Sequence, residues 1–261
     1  MAQESNKIVF RASDGNTVRL ERRESLPSAA ALAKEYANAG YPDRYAVYTE
    51  VQTAKSATGA PLSENEAERG LYISCILRPS IFPSQAGAIG ALSAVAFASA
   101  LEEHTAKSIG IGWVSNIYCD GLRIGMTEIE GKLDNHTSYE YLIVSFSVKM
   151  NDKNFPPRLT DIVRRVFEED SVSISMIMAK TVLNKFFALY REIKSPAKHI
   201  NAYIGRSVLV DKKIKYLGDE KKKTCRVVGI NRDTLALIIE TRDGVRREIN
   251  SPSSVTIPNK I

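Results

Sequence analysis

The chain has 261 residues, 44% of them hydrophobic and 25% charged, which is enough for one large core or a core plus a small module. Its formal charge of +6 sits entirely in the C-terminal part: Tyr203 to Ile261 holds 13 Lys and Arg against 7 Asp and Glu. There is no run of about 18 apolar residues and no positively charged, then apolar, leader, so neither a membrane span nor a signal peptide is expected, and a cytoplasmic protein is.

Residues 8–22 read as two short strands around a Ser-Asp-Gly-Asn turn. A helix follows from Pro27 and Ser28, with Leu32, Ala33 and Tyr36 on one face and Gly40 as its stop. The stretch 44–52 reads as a strand, and 55–70 as a polar loop of the length that often serves binding. After the strand "LYISCILRP" comes an Ala- and Gly-rich helix at 84–104, with Ser84 as its candidate cap. Three strand segments follow, "SIGIGWV", "RIGMTEI" and "YEYLIVSFSVKM"; the last places Leu142, Val144, Phe146 and Val148 on one side. Two helices fit 159–170 and 174–193, and the aromatics of the second read as core. Residues 195–202 read as a linker, and five short strands after it suggest a small β-barrel.

Little of this carries recognisable chemistry. Cys75, Cys119 and Cys225 lie far apart, and His104, His136 and His199 show no ligand spacing, so no metal site is expected. No phosphate-binding glycine loop or nucleophile elbow is present. The pairs Glu102–Glu103 and Glu168–Glu169 read as solvated helix ends. The basic tail suits an acidic protein or nucleic acid, or is simply a solvated surface.

Four segments nevertheless resemble biotin protein ligases. "RESLPSAAALAKEYANAG" is similar to that family's "ESLPSTNALAKEYA", and "VYTEVQTAKSATGAP" to its "EEQTAGRGRRGR". "GWVSNIYCDGLRIGMTEIEG" is similar to "KWPNDIY…KLAGILVE", and "YLIVSFSVKMN" to "VVIGIGINVN". The resemblance implies an α+β fold: a mixed β-sheet with helices packed on it over residues 1–200, then an SH3-like β-barrel over 201–261. It implies an activity that joins biotin to AMP, using ATP and Mg2+, and passes the acyl group to a lysine of a biotin-carrier-type acceptor protein. About 24 residues precede the first motif, too few for a winged helix, so DNA binding is not expected. Dimerisation through an exposed sheet edge is a property of the family that a homodimer here would share.

The resemblance also places the ligand-contacting positions, and there the residues differ. Ser28 and Ala29 replace Thr-Asn. Gln52 and Thr53 are retained, but the following loop holds Lys55, Ser56, Thr58 and Gly59 where the family has arginines, with Arg69 at its far end. Trp113 is kept, followed by Val114, Ser115 and Asn116. Arg123 stands at a lysine position as the candidate catalytic cation, and Gly125 and Met126 replace Ala-Gly. Ser145, Ser147 and Lys149 replace two glycines and an asparagine. An adenylating site needs cations and N–H groups around its phosphates, so these exchanges imply lost or altered ligase activity. The alternative is an active ATP-dependent ligase for biotin or another carboxylic acid, working through an acyl-adenylate.

Overall fold

The computed structural model describes residues 6–54, 68–104, 107–134, 138–149, 171–218 and 221–261. In chain order they form β1 (Lys7–Arg11), β2 (Thr17–Arg23), α1 (Ala29–Asn38), β3 (Tyr45–Gln52), β4 (Glu68–Leu77), α2 (Ala86–Glu102), β5 (Ile109–Gly112), β6 (Asn116–Cys119), β7 (Leu122–Leu133) and β8 (Tyr139–Lys149). Then come α3 (Ser171–Tyr190), α4 (Ala197–Gly205), β9 (Lys213–Gly218), β10 (Lys221–Ile230), β11 (Leu237–Glu240), β12 (Arg246–Ile249) and β13 (Val255–Thr256). The expected helix at 159–170 lies outside the described residues.

The first eight strands make one sheet in the order β1-β2-β3-β4-β8-β7-β6-β5. β2 and β3 run parallel, joined through α1, and the other pairs are antiparallel, so the sheet is mixed. The α+β expectation holds. Alternation along β8 explains the layering. Leu142, Val144, Phe146 and Val148 enter the larger core with α2 and α3, where Phe97, Phe146, Phe186 and Phe187 meet edge to face. Tyr141 and Ile143 point the other way, onto Ala29, Ala33 and Ala37 of α1. Those alanines recur every fourth residue, and their small side chains let the helix lie close on the sheet.

Helix α1 starts where the sequence suggests, with the Ser28 hydroxyl accepting from the Ala31 N–H at 3.3 Å, and Gly40 follows its end with φ +82°. The cap of α2 is different from expectation. It is Gln85, whose side chain makes no capping bond and accepts instead from the Phe82 N–H, while Ser84 belongs to the short 3-10 turn Pro83–Gln85.

The last five strands form a second, antiparallel sheet, β12-β11-β10-β9-β13, consistent with the small β-barrel expected. Its inward residues Tyr216, Cys225, Val227 and Ile239 belong to the same buried cluster as Trp113 and Phe146. The stretch 195–202, read as a linker, is not one: it contains most of α4, and the expected boundary at 200/201 falls within that helix. Two contacts explain why the chain orders there. Tyr203, on α4, is buried and donates to Val114 O at 2.8 Å. Arg206, just after α4, grips both Glu102 oxygens at 2.6 and 2.9 Å. Glu102 is therefore an anchor rather than a solvated helix end, and Glu103 pairs with Lys185. All three cysteines are buried, reduced and in strands. Among the described residues, no helix is long and apolar enough to cross a membrane.

Candidate functional site

Among the described residues, strand β7 is paired on both sides only at its start. β6 covers it as far as Met126, and beyond that only the Thr127 N–H to Ser115 O bond, 2.9 Å, continues on that side. Its far half therefore presents an open edge. A cleft of about 650 Å³ lies along it, within the usual range for a small-molecule site. The first turns of α1 and α2 border it through Ala30, Ala31, Ala86 and Gly87, and Pro252 of the C-terminal region closes one end. Gly90 of α2 also lines it; a Cβ there would make an ordinary contact with Ile129, at 3.8 Å.

Strand register sets what the cleft shows. Glu128 is opposite Ser145 and Glu130 opposite Ile143, so both carboxylates share one face with the serine, about 7 Å apart along the strand. Ser145 meets Ser74 of β4, oxygen to oxygen, at 2.8 Å. Lys34 reaches down from α1 to Glu130 at 3.0 Å, and that hydrogen bond holds the Lys34 ammonium above its ordinary value. Thr127 also lines the cleft; it is 1% exposed, and its buried hydroxyl has no hydrogen-bond partner among the described residues. Val114, Met126, Ile129 and Ile143 supply apolar wall, and Ser28 and Ser115 add hydroxyls.

Of the residues expected from sequence, Ser28, Ser115 and Ser145 line this cleft, and Val114 joins them. Others hold the scaffold. Gln52 is buried and accepts from the Ala29 N–H at 2.9 Å, pinning the start of α1 to β3, and the neighbouring Thr53 N–H donates to Leu26 O. Trp113 is 3% exposed and its indole N–H donates to Leu235 O at 2.7 Å, so its ring is core between the two sheets rather than a ligand platform. The Trp113–Val114 peptide is cis. Gly125 is required by crowding, because a Cβ there would stand 2.2 Å from Ser147 O.

Arg123 is exposed at the start of β7, outside the cleft lining; its guanidinium reaches Asn116 Oδ1 at 3.4 Å and its N–H donates to Asn259 O. The geometry thus separates the candidate catalytic cation from the open cleft. Ser147 makes a 3.4 Å bond to Met126 O, Lys149 ends β8, and Arg69 is exposed on β4 opposite Val51. Lys55, Ser56, Thr58 and Gly59 lie outside the described residues.

Sequence reasoning missed Lys34, Thr127, Glu128 and Glu130. The signal was available in "GMTEIEG", where two acids two apart on a strand must share a face. Aligned with "KLAGILVE", Glu128 stands at a leucine and Met126 at a glycine, while Glu130 matches the motif's glutamate. The cleft as described offers a single cation, Lys34, already committed to Glu130, and two carboxylates. Among the described residues, no group of His, Cys, Asp or Glu is arranged to hold a metal.

No protein-family model matches the chain. It is 28% identical over 141 residues to the bifunctional ligase/repressor BirA of Bacillus subtilis (strain 168), a match spanning 52% of this chain and 42% of that protein. The match thus covers less than half the length of this curated relative. Its fold is similar to the biotin protein ligase of Aquifex aeolicus, both without ligand (TM-score 0.65, 19% identity) and in complex with biotin and ATP (TM-score 0.63, 18% identity). Each alignment covers 91% of this chain and 97% of that one. It is equally similar to a biotin protein ligase-like protein of unknown function from Silicibacter sp. tm1040 (TM-score 0.64, 14% identity, covering 89% of this chain and 94% of that one).

Proposed function

We propose that this chain, which has the fold of the biotin protein ligases, is a ligase-like protein whose cleft has lost or altered the adenylating activity, and that its C-terminal sheet is an SH3-like module. One observation supports the reading: the one cation in the described lining of the cleft, Lys34, is committed to Glu130. The expected outcome is no ATP–pyrophosphate exchange above background with biotin, ATP and Mg2+ at ordinary enzyme concentration. Robust exchange would overturn the reading.

The second reading, an active ligase for biotin or another carboxylic acid, is favoured by the volume of the cleft, which remains open at about 650 Å³. Thermal unfolding with biotin, lipoate, octanoate and ATP separates the two. A rise of several degrees with one of the acids supports retained acid binding, because a ligand that binds only the native state raises its apparent stability. No shift with any acid supports the first reading.

A further inference from the structure

The net positive charge of the chain has a structural address away from the β7 cleft. A second cleft, of about 590 Å³, opens on the C-terminal sheet, where Lys222, Lys223 and Thr224 of β10 face Thr241 and Arg242 of the β11–β12 turn and Arg247 of β12. Asp243 is the one acid among the described residues of that lining, and the Thr241 hydroxyl, its own N–H and the charges of Arg247 and Lys223 hold it below its ordinary value. Register extends the positive surface beyond the cleft. Lys213 and Lys215 lie on the exposed face of β9, opposite Arg226 and Thr224. Arg226 pairs with Glu240 and Asp211, and Arg246 with Glu240. Lys213, Lys215, Lys222 and Arg242 form no ion pair among the described residues.

Two large apolar side chains border these cations. Leu217 is 52% exposed and sits directly opposite Lys222; Val245, 45% exposed, closes the turn that carries Arg242 and Asp243. We propose that this surface docks an acidic protein segment that also carries apolar side chains. Charge complementarity to Lys222, Arg242 and Arg247 supplies steering and orientation, and Leu217 and Val245 supply apolar contact of the kind found in protein interfaces. Asp243 then meets a backbone N–H or a lysine of the partner. Nucleic acid fits less well. The one aromatic in the lining, Tyr216, is buried and offers no face for base stacking, and the exposed leucine and the central Asp243 have no counterpart on a phosphate backbone.

This inference is independent of the reading of the β7 cleft, since neither Lys222 nor Arg242 lines that cleft. The test is fluorescence anisotropy with the full chain and a labelled peptide of Glu-Glu-Leu repeats, compared with a Glu-Glu-Ser peptide, a labelled DNA duplex and oligo-dT. The Glu-Glu-Leu peptide should bind most tightly, and its binding should weaken as salt rises. Lys222→Glu combined with Arg242→Glu should weaken it by tenfold or more, and Leu217→Ser several-fold. Unchanged circular dichroism and melting temperature identify folded variants, and Lys222→Gln with Arg242→Gln serves if the reversal does not fold. No binding of the peptide, equal binding by the folded charge variants, or tighter binding of either nucleic acid than of the peptide would overturn the proposal.

Discussion

Strand β7 contributes to two regions built in opposite ways. At its start it belongs to the seam between the sheets, where polar groups find partners. The Arg123 N–H donates to Asn259 O and the Ile261 N–H to Gly121 O, both at 2.8 Å. The Tyr118 hydroxyl donates to Pro258 O, the Trp113 indole to Leu235 O and the Tyr203 hydroxyl to Val114 O. Four residues further along, the same strand turns Glu128 and Glu130 toward an open cleft, and the buried Thr127 hydroxyl there is without a partner among the described residues. A buried polar group left unmatched costs about 1–3 kcal/mol, so folding alone favours the seam's arrangement. The cleft keeps polar side chains whose purpose is not packing.

The contrast breaks if the seam is dispensable. Trp113→Ala removes a buried ring and leaves the carbonyl of Leu235 without its donor. It should lower the unfolding free energy by about 3–5 kcal/mol in chemical denaturation, the largest effect of any change considered for this molecule. A loss under about 1 kcal/mol would mean that the sheets do not depend on each other there.

A smaller effect should come from the Glu102–Arg206 clasp. Partial burial alone would raise the Glu102 carboxyl. The hydrogen bonds from Arg206 and the Ile109 N–H, with the guanidinium charge, outweigh that and hold it below its ordinary 4.5. A depressed carboxyl contributes stability above its unfolded value, and that contribution disappears as pH falls through the folded value. Arg206→Ala should therefore cost about 1–3 kcal/mol at pH 7, and its gap from the unaltered protein should narrow once the pH falls below 4.5 and the carboxyl protonates. A gap constant with pH in denaturation series would assign the loss to packing.

The seam and the cleft also differ in how far the sequence revealed them. Alternation along β8, the start of α1 at Ser28 and the Ala- and Gly-rich run of α2 were readable because each is a local pattern with a single physical cause. The helix α4 was not, because "SPAKHINAYIG" is short and begins after a proline; its order comes from Tyr203 and Arg206 reaching Val114 and Glu102, contacts distant in sequence. In the cleft, Ser28, Ser115 and Ser145 followed from motif position. Trp113 did not behave as position suggested, since a tryptophan serves a core or a ligand site equally and only the Leu235 carbonyl decides between them. Lys34 was invisible for the same reason as α4: its partner Glu130 is 96 residues away.

The sharpest test of the separation compares two charges on β7 itself. Arg123 stands at the family's lysine position but is exposed, and its 3.4 Å contact to Asn116 is long for a guanidinium bond. Glu128 lines the cleft five residues on. Arg123→Ala should change stability by no more than about 0.5 kcal/mol, as expected for an exposed side chain with one weak contact, and should leave the thermal response to biotin and lipoate as it was. Glu128→Leu removes a carboxylate from the cleft lining and restores the motif's apolar residue. The expected result is a larger stabilisation by the free acids in Glu128→Leu than in the unaltered protein, read in the same melting experiment. If Arg123→Ala instead abolishes an existing response to an acid while Glu128→Leu changes nothing, the working part of β7 is its start and not its open edge.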